Sequence, residues 1–278
     1  MATQAKAMIN GPGIPVRRDL KLAYALSLVI ALLMAGVSLA GLFYQSRLYP
    51  NDELRRAFVP NDLVNLLIGL PVLLGSVQLA RRGVLAGLLL WPGGLLYVLY
   101  NYIAYIFGTP FSLISFAYVA LVLLSAYILL NLVQSIDRKS VRERLLGAVP
   151  EKIGGWILII LGVVFLFRAV GMIAQATTSG TMLPIAQFGT LVADLVLSVV
   201  WIVGGAWLLQ RMPLGYASGL GLLFSGSMLF IALIIFLLLQ PVLTDAPFLL
   251  TDVIVVFIMG LICFIPFALF TRGVISKS

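Results

Sequence analysis

The chain has 278 residues, 62% of them hydrophobic and 10% charged, against about 25% charged in an ordinary soluble domain. So much apolar surface excludes a soluble globular fold of this size. There is no histidine and one cysteine, Cys263, which removes Ser-His and Cys-His catalysis, His-ligated haem, the usual zinc and copper sites, an internal disulfide and a CxxC relay.

Crossing about 30 Å of hydrocarbon takes roughly 20 helical residues. Eight apolar runs qualify: 20–43, 63–80, 84–107, 111–134, 155–176, 188–210, 214–240 and 247–271. The first carries a signal-peptide-like Ser38-Leu39-Ala40, but its apolar run exceeds a signal core of roughly 7–15 residues, so it reads as a membrane helix. Position 2 is Ala, which does not indicate N-myristoylation. Residues 45–60 read as an outer loop. Short connections at 81–83, 108–110 and 211–213 make neighbouring helices antiparallel. The fold class is therefore all-α, a polytopic bundle of eight transmembrane helices.

Lys6, Arg17, Arg18 and Lys21 precede the first span, and Arg81 and Arg82 follow the second. Arg138, Lys139, Arg142, Arg144 and Lys152 follow the fourth, Arg211 the sixth, and Arg272 and Lys277 the eighth. These are fourteen of the eighteen cations; Arg47, Arg55 and Arg56 fall on the other side, and Arg168 lies inside the fifth span. The positive-inside rule then places both termini of this multi-pass chain in the cytoplasm. Asp52, Glu53, Asp62, Asp194, Asp245 and Asp252 fall on the outer side. The net charge of +8 thus reflects topology, and nucleic-acid binding is not expected.

The halves look alike. A shift of 132 lays Asp62-Leu63-Val64 on Asp194-Leu195-Val196, and Gly83 and Gly87 on Gly215 and Gly219. A shift of 133 lays Leu89-Leu90-Trp91-Pro92-Gly93 on Leu222-Leu223-Phe224-Ser225-Gly226, and one of 137 lays Pro110-Phe111 on Pro247-Phe248. The expected organisation is a cytoplasmic tail (1–19), a four-helix repeat (20–134), a charged cytoplasmic linker (135–154), a second repeat (155–271) and a tail (272–278). An even number of spans per half gives both repeats one orientation, related by a pseudo-two-fold along the membrane normal.

Pro71 in the second span, opposite Val203-Gly204-Gly205, and Pro92-Gly93-Gly94 in the third, opposite Ser225-Gly226-Ser227, are candidate helix breaks. Matched breaks point to a midplane site; kinks and close packing are the alternative. The pairs Gly83/Gly87 and Gly215/Gly219 have the spacing of close helix packing, with another helix of the chain or with a second copy.

Ionisable groups in a membrane are costly. Arg168 and Asp194 stand about 24–26 Å above the basic face on consecutive helices, and are expected to pair or to share a ligand pocket. Asp62 holds the corresponding place in the first half, where Gly36 replaces the arginine and Arg55 or Arg56 could serve instead. Asp252 heads the last span at similar depth. Tyr97, Asn101 and Tyr105 share one helix face, whose counterparts, such as Ile234 and Leu238, are apolar. These seven form the candidate ligand-binding set. No catalytic residue, metal ligand or cofactor is indicated.

Asn61-Asp62-Leu63-Val64, the stretch from Leu89 to Tyr102 with its Trp91-Pro92-Gly93-Gly94 and Tyr97-Val98-Leu99-Tyr100-Asn101-Tyr102, and Tyr105-Ile106-Phe107-Gly108 resemble a pattern of uncharacterised prokaryotic multi-pass membrane proteins. The resemblance covers the second to fourth spans. It implies a bacterial or archaeal inner (cytoplasmic) membrane and brings no activity or site residue. Three functions stay open: a non-catalytic subunit or scaffold, favoured by the absence of motifs; a transporter or binding protein for a small or amphipathic ligand, with an outer site between the halves; and an intramembrane enzyme using carboxylates, tyrosines or arginine. Expected partners are membrane lipid, such a ligand, and a second copy or another membrane protein.

Overall fold

A computed structural model describes residues 14–277. Ala2, Lys6 and Ser278 lie outside them. Among the described residues the chain is helical, with eight helices long and apolar enough to cross a membrane. They are α1 (Lys21–Phe43), α3 (Asp52–Arg81), α4 (Leu85–Gly108), α5 (Leu113–Ser135), α7 (Glu151–Ser179), α8 (Ile185–Leu209), α9 (Pro213–Leu243) and α10 (Leu250–Ile275). Two short helices lie between spans, α2 (Gln45–Leu48) and α6 (Arg138–Leu145).

Residues 45–60 are largely helical rather than a loop. The Asn51 side chain accepts the Leu54 N–H at 2.9 Å, and Asp52 and Glu53 fill a first turn where the helix dipole favours acids. The helix so capped runs through Pro60 and extends the second span beyond its apolar run. Similarly, the 135–154 linker contains α6, which buries Val141 and Leu145 and packs on α9. Glu151 opens α7 before the apolar run at 155 begins.

None of the three proline or glycine clusters breaks its helix. Ahead of Pro71, Asn65–Gly69 forms one π-helical turn. A wider turn accommodates a proline ring and its missing donor. α4 runs unbroken through Pro92-Gly93-Gly94, and α9 through Ser225-Gly226. These small residues permit close approach instead. A Cβ on Gly93 would strike the Gly221 carbonyl oxygen, and one on Gly221 would sit 2.8 Å from the Leu89 carbonyl oxygen. α4 and α9 thus cross in mutual backbone contact near the centre of the bundle. α7 and α8 meet in the same way, Gly155 against the Gly205 carbonyl and Gly205 against that of Gly155.

The turns after α3 and α8, at the basic end, share one geometry. In the first, Gly83 N–H donates to Ala80 O and Val84 N–H to Leu79 O; in the second, Arg211 N–H donates to Leu208 O and Met212 N–H to Trp207 O. Gly83 and Arg211 both take the left-handed conformation, φ 80° and 55°. Gly87 then lies against Leu79 and Ala80, and Gly215 against Trp207 and Leu208, each too close for a Cβ. Gly83 is therefore a turn residue, not part of a packing face with Gly87. Gly87 corresponds to Gly215 at an offset of 128, four short of the shift that aligns the aspartates. Gly219 packs instead toward the Phe270 ring.

At the same end, Asp137 N–H donates to Pro15 O (2.8 Å), Arg17 N–H to Ser135 O (2.7 Å), and the Arg17 guanidinium pairs with Asp137 at 2.7 Å. Arg211 pairs with Glu151 at 2.8 Å. The N-terminal segment and the 135–154 linker are thereby held on one face. α4 is the most enclosed span, whereas α7 and α10 expose most of their surface in the halves away from the basic end.

Candidate outer-half binding site

The half of the bundle away from the basic end contains two polar groups carried by α4. In the first, Asp62 of α3 is 1% exposed and accepts hydrogen bonds from Tyr49 (2.7 Å) and Tyr105 (2.8 Å). Gly41 of α1 makes room for it, since a Cβ there would occupy the carboxylate's place. Arg55 and Arg56 do not serve Asp62. Arg55 donates to the Tyr49 carbonyl and pairs with Asp52, while Arg56 reaches the Asp245 carbonyl. Tyrosine hydroxyls thus replace a counter-cation.

The second group joins α7, α8 and α4. Arg168 pairs with one carboxylate oxygen of Asp194, and the Tyr100 hydroxyl donates to the other at 2.9 Å. Asp194 is fully buried, whereas the Arg168 side chain is 46% exposed, which leaves guanidinium donors free to face outward.

Asparagines link the two groups. The Asn61 amide donates to Asn101 Oδ1 (3.1 Å) and to the Tyr105 hydroxyl (3.3 Å). Asn101 donates to the Tyr97 carbonyl (3.0 Å), and the Tyr97 hydroxyl to Asn65 (3.2 Å). The Asn65 amide nitrogen, buried at the start of the π turn, has no partner among the described residues.

Part of this network lines a cavity of about 400 Å³ bounded by α3, α4, α7, α8, α9 and α10. Asn61, Tyr97, Tyr100, Asn101, Arg168, Asp194 and Thr190 supply its polar surface; Phe165, Leu229, Phe230, Leu233 and Phe236 supply most of the apolar remainder. At its floor Phe165 meets Trp201 edge to face, centroids 5.3 Å apart, and Trp201 donates to Ser225 Oγ at 3.0 Å. Val164 and Arg168 of α7 and Met259 of α10 line the cavity yet remain open to the outside. The cavity therefore has a lateral mouth between α7 and α10. A shallower depression lies further from the basic end and shares Ala57, Ala186, Thr190 and Phe236 with it.

Of the seven expected residues, Tyr97, Asn101, Arg168 and Asp194 line the cavity. Tyr105 and Asp62 lie behind its wall, connected through Asn61. Asp252 is exposed at the head of α10, beside a separate hollow with Arg56 and Gln240. Sequence reasoning missed Tyr49, Asn61, Asn65 and Tyr100 as parts of the network. A signal existed for two of them, because Asn61 and Asn65 stand one helical turn apart on α3 and share a face. Among the described residues no group of three or more acidic or cysteine side chains could hold a metal ion. No protein-family model matches this chain, no curated protein is similar to it in sequence, and no solved structure is similar to it in fold.

Proposed function

We propose that this integral membrane protein is a non-catalytic binding protein or transporter for a small amphipathic ligand, taken up in the outer half between two repeats. The observation that carries this reading is the cavity beside the Arg168–Asp194 pair. A scaffold needs no cavity, and a bundle built only for packing would fill this one with side chains. The lining matches an amphipathic guest: a polar group that accepts hydrogen bonds faces Arg168 and the asparagines, and an apolar body lies among Phe165, Phe230, Leu233 and Phe236. The lateral mouth suits entry from the lipid phase, since a molecule with an apolar body is already concentrated there. Asp62 and its tyrosines are positioning residues that hold Tyr105 and, through it, Asn61.

On the same reading, residues 20–134 and 155–271 are tandem repeats of one orientation, separated by the 135–154 linker. The reciprocal contact of Gly93 with Gly221 and the matching inner turns support a pseudo-two-fold between α4 and α9. The basic excess supports cytoplasmic termini, and the resemblance of the second to fourth spans favours a prokaryotic inner membrane. The cavity belongs to both halves, α3 and α4 on one side and α7 to α10 on the other.

A single-chain lysophospholipid with a photoreactive tail, added to the purified protein, should label peptides containing Val164, Leu233 or Met259. Leu233→Trp, which fills the apolar part, should suppress that labelling and leave labelling of α5 unchanged. Equal labelling of all lipid-facing helices, unaltered by Leu233→Trp, would contradict the reading.

A further inference from the structure

At the basic end of the bundle, on the opposite side of the membrane from the cavity, α1 and α3 enclose a groove of about 480 Å³. Two cations stand at its mouth, Lys21 at the start of α1 and Arg81 at the end of α3. The Arg81 guanidinium lies over the Tyr24 ring, 5.8 Å from its centroid, and Tyr24 is stacked on Trp91, centroids 4.9 Å apart. This stack holds the guanidinium in place without using its N–H donors. Among the described residues no carboxylate lies within ion-pair distance of Arg81, and Lys21 shares its charge with the exposed Asp19 at 3.3 Å. Gln78 adds an amide between them. Toward the membrane centre the walls turn apolar, with Leu28 and Leu74 both exposed.

We propose that this groove binds an anionic phospholipid, its phosphate on Arg81 and Lys21 and an acyl chain along Leu28 and Leu74. The charge argues for a phosphate, which accepts bidentate bonds from a guanidinium. The apolar wall, continuous with the lipid phase, argues for a lipid rather than a free phosphate. A zwitterionic headgroup would bring its ammonium toward two cations. The anionic lipid is therefore the preferred occupant, and it is the kind that juxtamembrane cations attract. The groove is independent of the outer cavity and does not rest on the function proposed for it.

Native mass spectrometry of the full chain tests this, with the protein released from micelles containing equal phosphatidylglycerol and phosphatidylethanolamine. Phosphatidylglycerol should be retained in preference. Lys21→Gln with Arg81→Gln should lower its retention about tenfold. Lys139→Gln with Lys152→Gln, which removes two exposed cations from the same end, should leave it unchanged. Leu74→Trp, which keeps both cations but fills the apolar wall, should also lower it. Melting temperatures near that of the parent protein establish that each variant is folded, and Arg81→Lys supplies a milder variant that keeps the charge. Equal retention of the two lipids, equal loss in both double variants, or displacement by equimolar glycerol phosphate would each overturn the proposal.

Discussion

Asp194 has no access to solvent, and what makes it tolerable there is Arg168 on the next helix and the Tyr100 hydroxyl. Removing the arginine leaves a buried carboxylate with one neutral donor, whereas removing both charges leaves nothing to solvate. Arg168→Leu should therefore lower stability in detergent by about 2 kcal/mol. Arg168→Leu with Asp194→Leu should recover most of that loss. Thermal melting of the two single variants and the double variant measures the coupling, and strictly additive losses would show that the pair contributes nothing. The double variant also separates structure from binding, because it should fold yet lose photolabelling at Leu233. The pair was legible in sequence because two intramembrane charges at one depth on consecutive helices have few other solutions. Asp62 was not, because its partners are phenols drawn from a short loop and from α4. Tyrosines near a membrane interface are common enough to carry no signal of their own.

At the level of helices, glycine decides which spans touch. Gly93 and Gly221 bring α4 and α9 into backbone contact, so a branched side chain at either position must push the helices apart. Gly93→Val and Gly221→Val should each destabilise by about 1–3 kcal/mol. Their combination should cost less than the sum, because the first substitution already opens the crossing. A melting series including Gly36→Val, at a glycine with nothing within 4 Å of an added Cβ, provides the neutral comparison. The N-terminal segment is held differently, by strand-like hydrogen bonds to residues 135–137 and by the Arg17–Asp137 pair. The Arg17 guanidinium hydrogen-bonded to Asp137 holds that carboxyl below its ordinary range. A depressed carboxyl contributes its stability above the unfolded value and loses it as pH falls through the folded one. Hydrogen exchange at Arg17 and Asp137 should thus stay slow at neutral pH and quicken only below the usual carboxylate range. Asp137→Asn should quicken it at neutral pH.

For the whole molecule, the testable statement is which side faces the cytoplasm. Cys263 is 2% exposed, so its thiol should resist impermeant maleimide and a Cys263→Ser background should fold normally. In that background Lys139→Cys should label only after the membrane is opened, and Ser179→Cys should label in intact cells. The reverse pattern would invert the assignment of both the outer cavity and the inner groove. Eight spans, a basic end and the neighbourhood of Arg168 and Asp194 were determined by the sequence alone. Each follows from transfer free energies that depend on residue type and on distance along one helix. Only the tertiary structure decided that Pro71, Pro92 and Ser225 leave their helices intact, that Gly87 answers to Gly215 and not to Gly219, and that Asp62 pairs with tyrosines. Those outcomes depend on which side chains of distant helices fill the space beside each residue. In a chain where nearly every position is apolar, hydropathy leaves that choice open, and the backbone contacts at Gly93, Gly155, Gly205 and Gly221 settle it.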